Sequence, residues 1–260
     1  MRLQMKWLLI AIAVLAMAGT GSAGYIQSGP DAYVSEDDPA NSQTSTMQEY
    51  TDVDTDAEDW GYCHCDVYTR SWAKAVDSAS TDASGIAYWE TSWQWQGPPS
   101  TPPGGTLSWS ISADGRTNAW GDTDPGNGGS ASSYAEGYSA AWIARSPGDT
   151  FSGGERAWGS VQDSDRATGE LMPFGQAEEV PDTWWFNLQD GFFELFVDWE
   201  LSGGDNDTVA SGTSVIQVLA GAACDGATYA SADGAGSNAD ALAQTYMVAD
   251  AWPDADFTSN

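Results

Sequence analysis

Leu107-Ser108-Trp109-Ser110-Ile111-Ser112 sends three apolar side chains to one side of an extended chain and three serines to the other. That period of two marks a half-buried antiparallel strand, because successive side chains of a strand point to opposite faces. Working outward, similar runs predict strands at 67–75, 88–95, 134–144, 183–188, 192–201, 209–219 and 241–248. Between them stand turn clusters: Gly97-Pro98-Pro99, Asp124-Pro125-Gly126-Asn127-Gly128-Gly129, Ser146-Pro147-Gly148-Asp149 and Ser202-Gly203-Gly204-Asp205. After residue 23 there are only 7 Leu against 13 Trp, with Ser, Thr and Gly between them, which is poor material for helices. The predicted fold is all-β with very little helix: an antiparallel two-sheet β-sandwich or jelly roll of about eight to ten strands.

Charge narrows the partners. The 260 residues hold 38 Asp plus Glu against 8 Lys plus Arg, a net charge of -30, and no basic residue follows Arg166. Such a field repels phosphate backbones, so no nucleic-acid partner is expected. Arg2 and Lys6 precede the apolar run Trp7 to Ala18, and Gly21-Ser22-Ala23 supplies small residues for a signal peptidase. Residues 1–23 are therefore predicted to be a signal peptide, with an extracellular, secreted or surface-associated product. No second apolar stretch of that length follows, and no membrane insertion is expected after cleavage. Residues 24–59 carry ten acids, no basic residue and few large apolar ones, which predicts an extended or disordered leader. The sandwich would then occupy 60–252 as a single domain, and 253–260 a short tail.

From Ser84 to Leu219 the Ser/Ala/Gly-rich strands, lone tryptophans and acidic loops behind a signal peptide resemble uncharacterised secreted bacterial β-sandwich proteins, many of which carry a PEP-CTERM sorting tail. The closing Asp256-Phe257-Thr258-Ser259-Asn260 shows no Pro-Glu-Pro motif. The resemblance implies a surface or matrix component and assigns no site residues.

Three cysteines form an odd set. Cys63 and Cys65 flank His64, and at strand spacing their Cα atoms would lie about 6.6 Å apart, near the upper limit for a disulfide. A long-range bond from Cys63 or Cys65 to Cys224 is the expectation. A Cys-His-Cys metal site is disfavoured, because alternation sends His64 to the face opposite both sulfurs and the sequence has no other histidine.

Three further constellations are candidates for function. Glu194, Asp198 and Glu200 share one face of a predicted strand. Their spacing of i, i+4 and i+6 is similar to, and departs from, the i, i+2, i+4 acids of jelly-roll β-glucanases. Asp198 and Glu200 fall near the 5 to 5.5 Å separation of a retaining glycosidase, whereas Glu194 lies about 13 Å from Asp198. An acidic face in water is the competing reading. Trp89, Trp93 and Trp95 share one strand parity and form a candidate ligand-binding row, since indole faces stack on sugar rings. The scarcity of leucine favours a place in the core instead. Asp52, Asp54 and Asp56, with the pairs Asp122 and Asp124, and Asp205 and Asp207, are candidate calcium ligands. An EF-hand is excluded, because Ala57 and Cys63 stand where it needs glycine and a bidentate acid. A solvated acidic surface would account for the same residues.

The expectation is an exported, acidic sandwich acting by binding or self-assembly at the cell surface or in extracellular matrix. Its partners would be polysaccharide or neighbouring copies of itself, and calcium the one cofactor considered. The alternatives are a carbohydrate-binding module and a glycoside hydrolase using Asp198 and Glu200, and the reading leans away from catalysis.

Overall fold

The pattern at 107–112 continues along an entire strand. In the computed structural model, which describes residues 23–39, 41–97, 100–175, 183–234 and 238–260, Gly105–Asp124 alternates buried and solvent-facing positions from end to end. The described chain forms thirteen strands and no helix: β1 (Gly24–Asp37), β2 (Ser42–Gln43), β3 (Met47–Glu58), β4 (Tyr62–Lys74), β5 (Val76–Gln96), β6 (Gly105–Asp124), β7 (Ser130–Ser146), β8 (Thr150–Gln162), β9 (Thr168–Gly175), β10 (Thr183–Gln189), β11 (Phe192–Val209), β12 (Val215–Asp233) and β13 (Asp240–Ser259). All pair antiparallel, in a six-stranded sheet of order β1-β5-β12-β7-β8-β9 and a seven-stranded sheet of order β10-β11-β6-β13-β4-β3-β2. The two pack face to face as a β-sandwich, with β4 over β5 and β12, and β11 over β8.

Several expectations about boundaries are corrected. Except for Ala23, the predicted signal peptide lies outside the described residues. The acidic segment 24–59 does not stand apart as a leader. Its first part is β1, paired with β5 from Gly24↔Gln96 to Asp37↔Ser84, and its last part is β3, paired with β4. Counting apolar residues missed this because an edge strand is held largely by its ladder of backbone hydrogen bonds and needs few buried side chains. Tyr25 supplies the main anchor, donating its hydroxyl to the carbonyls of Thr213 and Pro103 and packing edge-on against Trp95 and Phe257. The predicted tail, 253–260, continues β13 to Ser259 beside β6. The stretch 209–219, expected as one strand, is broken between Val209 and Val215 where the chain crosses from one sheet to the other. These additions raise the strand count above eight to ten.

The core solves a volume problem set by composition. Large rings stand over glycines in the facing or neighbouring strands: a Cβ on Gly121 or on Gly159 would come within 2.3 Å of the Phe193 ring, and one on Gly115 within 2.4 Å of Trp199. Glycine in these strands is therefore a socket for an aromatic side chain, a use that offsets its unfavourable strand propensity. Small polar residues also point inward, paired with one another. Thr69 and Thr245 hydroxyls lie 2.7 Å apart, Ser71 and Thr228 2.8 Å, and Thr117 and Ser139 2.6 Å, while Trp199 Nε1 donates to Ser139 at 2.7 Å. Each pairing satisfies groups that would be costly to bury alone. Not every buried polar atom is paired: Glu155 is 2 % exposed and its Oε2 has no hydrogen-bond partner among the described residues, nor do the buried hydroxyls of Thr81 and Ser133.

The three cysteines belong to this core. Cys63, Cys65 and Cys224 are all buried free thiols, which corrects the expected disulfide. Cys224 Sγ donates instead to the Cys65 carbonyl at 3.2 Å. Burial pushes the Cys63 thiol up to about 12, and Cys224 is raised as well, chiefly by burial, so both behave as small apolar groups.

Candidate functional site

Because β4 alternates, Cys63 and Cys65 turn into the core while Tyr62 and His64 rise from the outer face of the seven-stranded sheet. The turn before β4 extends this outward series. Gly61 adopts φ +95°, and a Cβ there would lie 2.4 Å from the Pro253 carbonyl oxygen, so only glycine lets the turn close. Trp60 is thereby presented 69 % exposed. Its indole is parallel to the Tyr62 ring, with centroids 5.6 Å apart and planes 4° apart, and Tyr62 is followed by His64 at 6.3 Å and 12°. Trp252, brought from β13, completes the cluster with its centroid 5.9 Å from that of Tyr62.

Asp250 ties the cluster together. His64 Nδ1 and the Tyr62 hydroxyl each lie 2.9 Å from its Oδ1. Burial alone would raise the Asp250 carboxyl, but the hydrogen bonds from His64 and Tyr62 hold it below the usual carboxylate range. The hydrogen bond to Asp250 correspondingly lifts His64 above an ordinary imidazole, against the opposing pull of burial. Tyr62 is pushed well above an ordinary phenol, first by burial and then by the same carboxylate.

Strand register extends the site sideways. Glu200, Asp114, Asp250, His64 and Asp56 stand directly opposite one another across β11, β6, β13, β4 and β3. This row sets four carboxylates against one imidazole. Beyond it, Arg116 Nε bonds Asp198 at 2.8 Å and the guanidinium lies 5.2 Å from the Phe196 ring centroid, while Trp185 of β10 stacks on Phe196 at 5.7 Å. The outer face thus presents rings and carboxylates on a broad sheet surface, suited to stacking and hydrogen bonding to an extended ligand.

The residues singled out from sequence meet different fates. Trp89 and Trp93 are each 4 % exposed and lie in the core, Trp89 donating its Nε1 to the Asp59 carbonyl at 3.0 Å. Trp95 is half-buried against Tyr25. Their side chains are thus turned inward or packed under β1, so the predicted ligand row is corrected to a packing row. Glu194, Asp198 and Glu200 do share the outer face of β11. Asp198 is engaged by Arg116, and Glu194 is half-buried beside Trp120, its carboxyl raised by burial. Shallow depressions of about 320 and 330 Å³ lie elsewhere, over β7 and β8 and beside Ser108, Asp254 and Asp256.

The calcium candidates are not gathered. Asp52, Asp54 and Asp56 project from the exposed side of β3, a regular strand and not a wrapping loop. Asp124 accepts from the Gly126 N–H, Asp205 from the Asn206 N–H, and Asp207 pairs with Arg145, while Asp122 is exposed on β6. Among the described residues no three His, Cys, Asp or Glu side chains converge as a metal site.

Sequence reasoning missed Trp60, Tyr62, Asp114, Asp250 and Trp252. A signal was present in the alternation Trp60, Tyr62, His64, but Asp250 and Trp252 join it only through the β4–β13 register. Comparison with protein-family models and with curated proteins finds no match to the chain.

Proposed function

We propose that this is a secreted, non-catalytic binding protein of the cell surface or extracellular matrix, and that it holds carbohydrate on the outer face of its seven-stranded sheet. The observation that carries the reading is the ring cluster in which exposed Trp60 and Trp252 pack on half-buried Tyr62, itself held by its bond to Asp250 beside His64. Rings that a network already orders pay little entropy on binding, and their apolar faces match the C–H faces of sugars. The acids at 194, 198 and 200 support hydrolysis less well, since Asp198 is engaged by Arg116 on an open sheet face. Calorimetry with soluble neutral and charged polysaccharides tests the reading. Binding is expected to be lost in Trp60→Ala with Trp252→Ala, and a double variant that binds as the parent does would refute it.

Self-association is the second reading, favoured by β10. Trp184 and Phe186, 50 % and 52 % exposed, lie on this edge strand of the seven-stranded sheet. An edge carrying such side chains offers backbone groups and apolar surface to another copy. The segment 24–37 is not available for that purpose, because it pairs with β5 of its own sheet. Sedimentation velocity over a concentration series, with Trp184→Ser as control, tests it: a concentration-independent monomer would remove this reading.

A further inference from the structure

The charges around the ring cluster select among sugars. We propose that the ligand is a glycan bearing protonated amines, a glucosamine-type polymer with free amino groups; this rests on the carbohydrate-binding reading above.

Two features converge on the same patch. The first is the ring set, with Trp60 and Trp252 open to solvent and each packed on Tyr62. The second is the adjoining row, where Asp114 stands between Asp250 and Glu200 in directly paired register and His64 is the only cationic partner in the row. His64 is committed to Asp250, and the nearby Arg116 to Asp198. Like charges directly opposite on neighbouring strands repel, and Asp114 and Asp250 face each other in this way beside the rings. The Asp114 carboxyl reflects it, raised first by burial and then by Asp250 and Asp198. Glu58, paired with Tyr62, and Asp254, two residues beyond Trp252, continue the same sign on the ring side.

An ammonium group relieves this repulsion and is also attracted to the face of an indole or phenol ring. A sugar that carries one offers its apolar ring face to Trp60 and Trp252 and its amine to the Asp114 row. A neutral sugar makes the first contact only, and an anionic polysaccharide meets a body of net charge -30.

The test uses the purified full chain and three probes: a glucosamine hexamer, its fully N-acetylated counterpart and a cellulose hexamer. At low salt the free-amine hexamer is expected to bind at least about tenfold more tightly than the other two, with the gap closing at high salt. Asp114→Asn is expected to weaken the free-amine hexamer by about fivefold and to leave the acetylated one unchanged. Trp60→Ala is expected to weaken all three. Equal binding of the three oligomers by the parent chain overturns amine selection while leaving the carbohydrate reading in place. Failure of all three to bind overturns both. Free-amine binding that survives Trp60→Ala together with Trp252→Ala is diffuse polycation adsorption and overturns the proposal.

Discussion

His64 Nδ1 lies 2.9 Å from Asp250 Oδ1, and this contact joins residues 186 positions apart in the chain on neighbouring strands of one sheet. It decides the protonation of the candidate site. Because His64 is raised above its ordinary value of 6.5, its stabilising contribution is complete below about pH 6.5 and is lost as pH rises through the folded value. As the chain has a single histidine, one imidazole resonance reports the titration directly. It is expected to titrate above 6.5 in the parent chain and at a lower pH in Asp250→Asn, where burial and the more distant Asp66 and Asp54 remain but the bonded carboxylate is gone.

Glu155 has the opposite consequence for design. Burial pushes its carboxyl up to about 7, and no charged partner compensates. The folded state therefore favours the protonated form: its contribution is complete below about pH 4.5 and is lost as pH rises through about 7. Glu155→Gln keeps the shape without the charge. Urea unfolding is expected to show the variant about 1 to 3 kcal/mol more stable than the parent at pH 8, with the difference vanishing near pH 4. A variant no more stable at pH 8 would place Glu155 in a solvated position.

The division of tryptophans between core and surface is measurable. Trp93 is buried against Phe257, with ring centroids 6.2 Å apart, and Trp93→Ala is expected to cost about 3 to 5 kcal/mol by leaving a cavity. Trp60→Ala, at a turn with its ring in solvent, is expected to cost under about 1 kcal/mol. Chemical denaturation of both variants checks the assignment, and comparable losses would mean that Trp60 is packed.

The thiols give a fourth readout. In the native protein, Cys63, Cys65 and Cys224 are buried and two of them have raised pKa values, so thiol reagents are expected to label none of them. After denaturation without reductant, three equivalents should react. One equivalent would show that two of the three are joined in a disulfide.

Alternation such as that at 107–112 is a local property, and it determined the all-β class, the antiparallel pairing and the outward or inward direction of most side chains, including the separation of His64 from Cys63 and Cys65. Composition determined that tryptophan must supply core volume, since so little leucine is present. What sequence left open was which strands become neighbours. The edge strand β1 and its counterpart β3, next to the edge of the other sheet, were hidden because their stability comes largely from backbone ladders, whose partners are not encoded in local hydrophobicity. Parity also could not say whether Trp89 and Trp93 faced the core or the solvent, because the choice depends on which side the second sheet covers. Phe193 fits where it does only because Gly121 and Gly159 meet it from two other strands. The ring cluster and carboxylate row likewise exist only once β13 is laid between β4 and β6, setting Asp250 opposite both His64 and Asp114. Register over such distances is fixed by the simultaneous packing of two whole sheets, so the direction of each side chain could be read from sequence, but its neighbours across the strands could not.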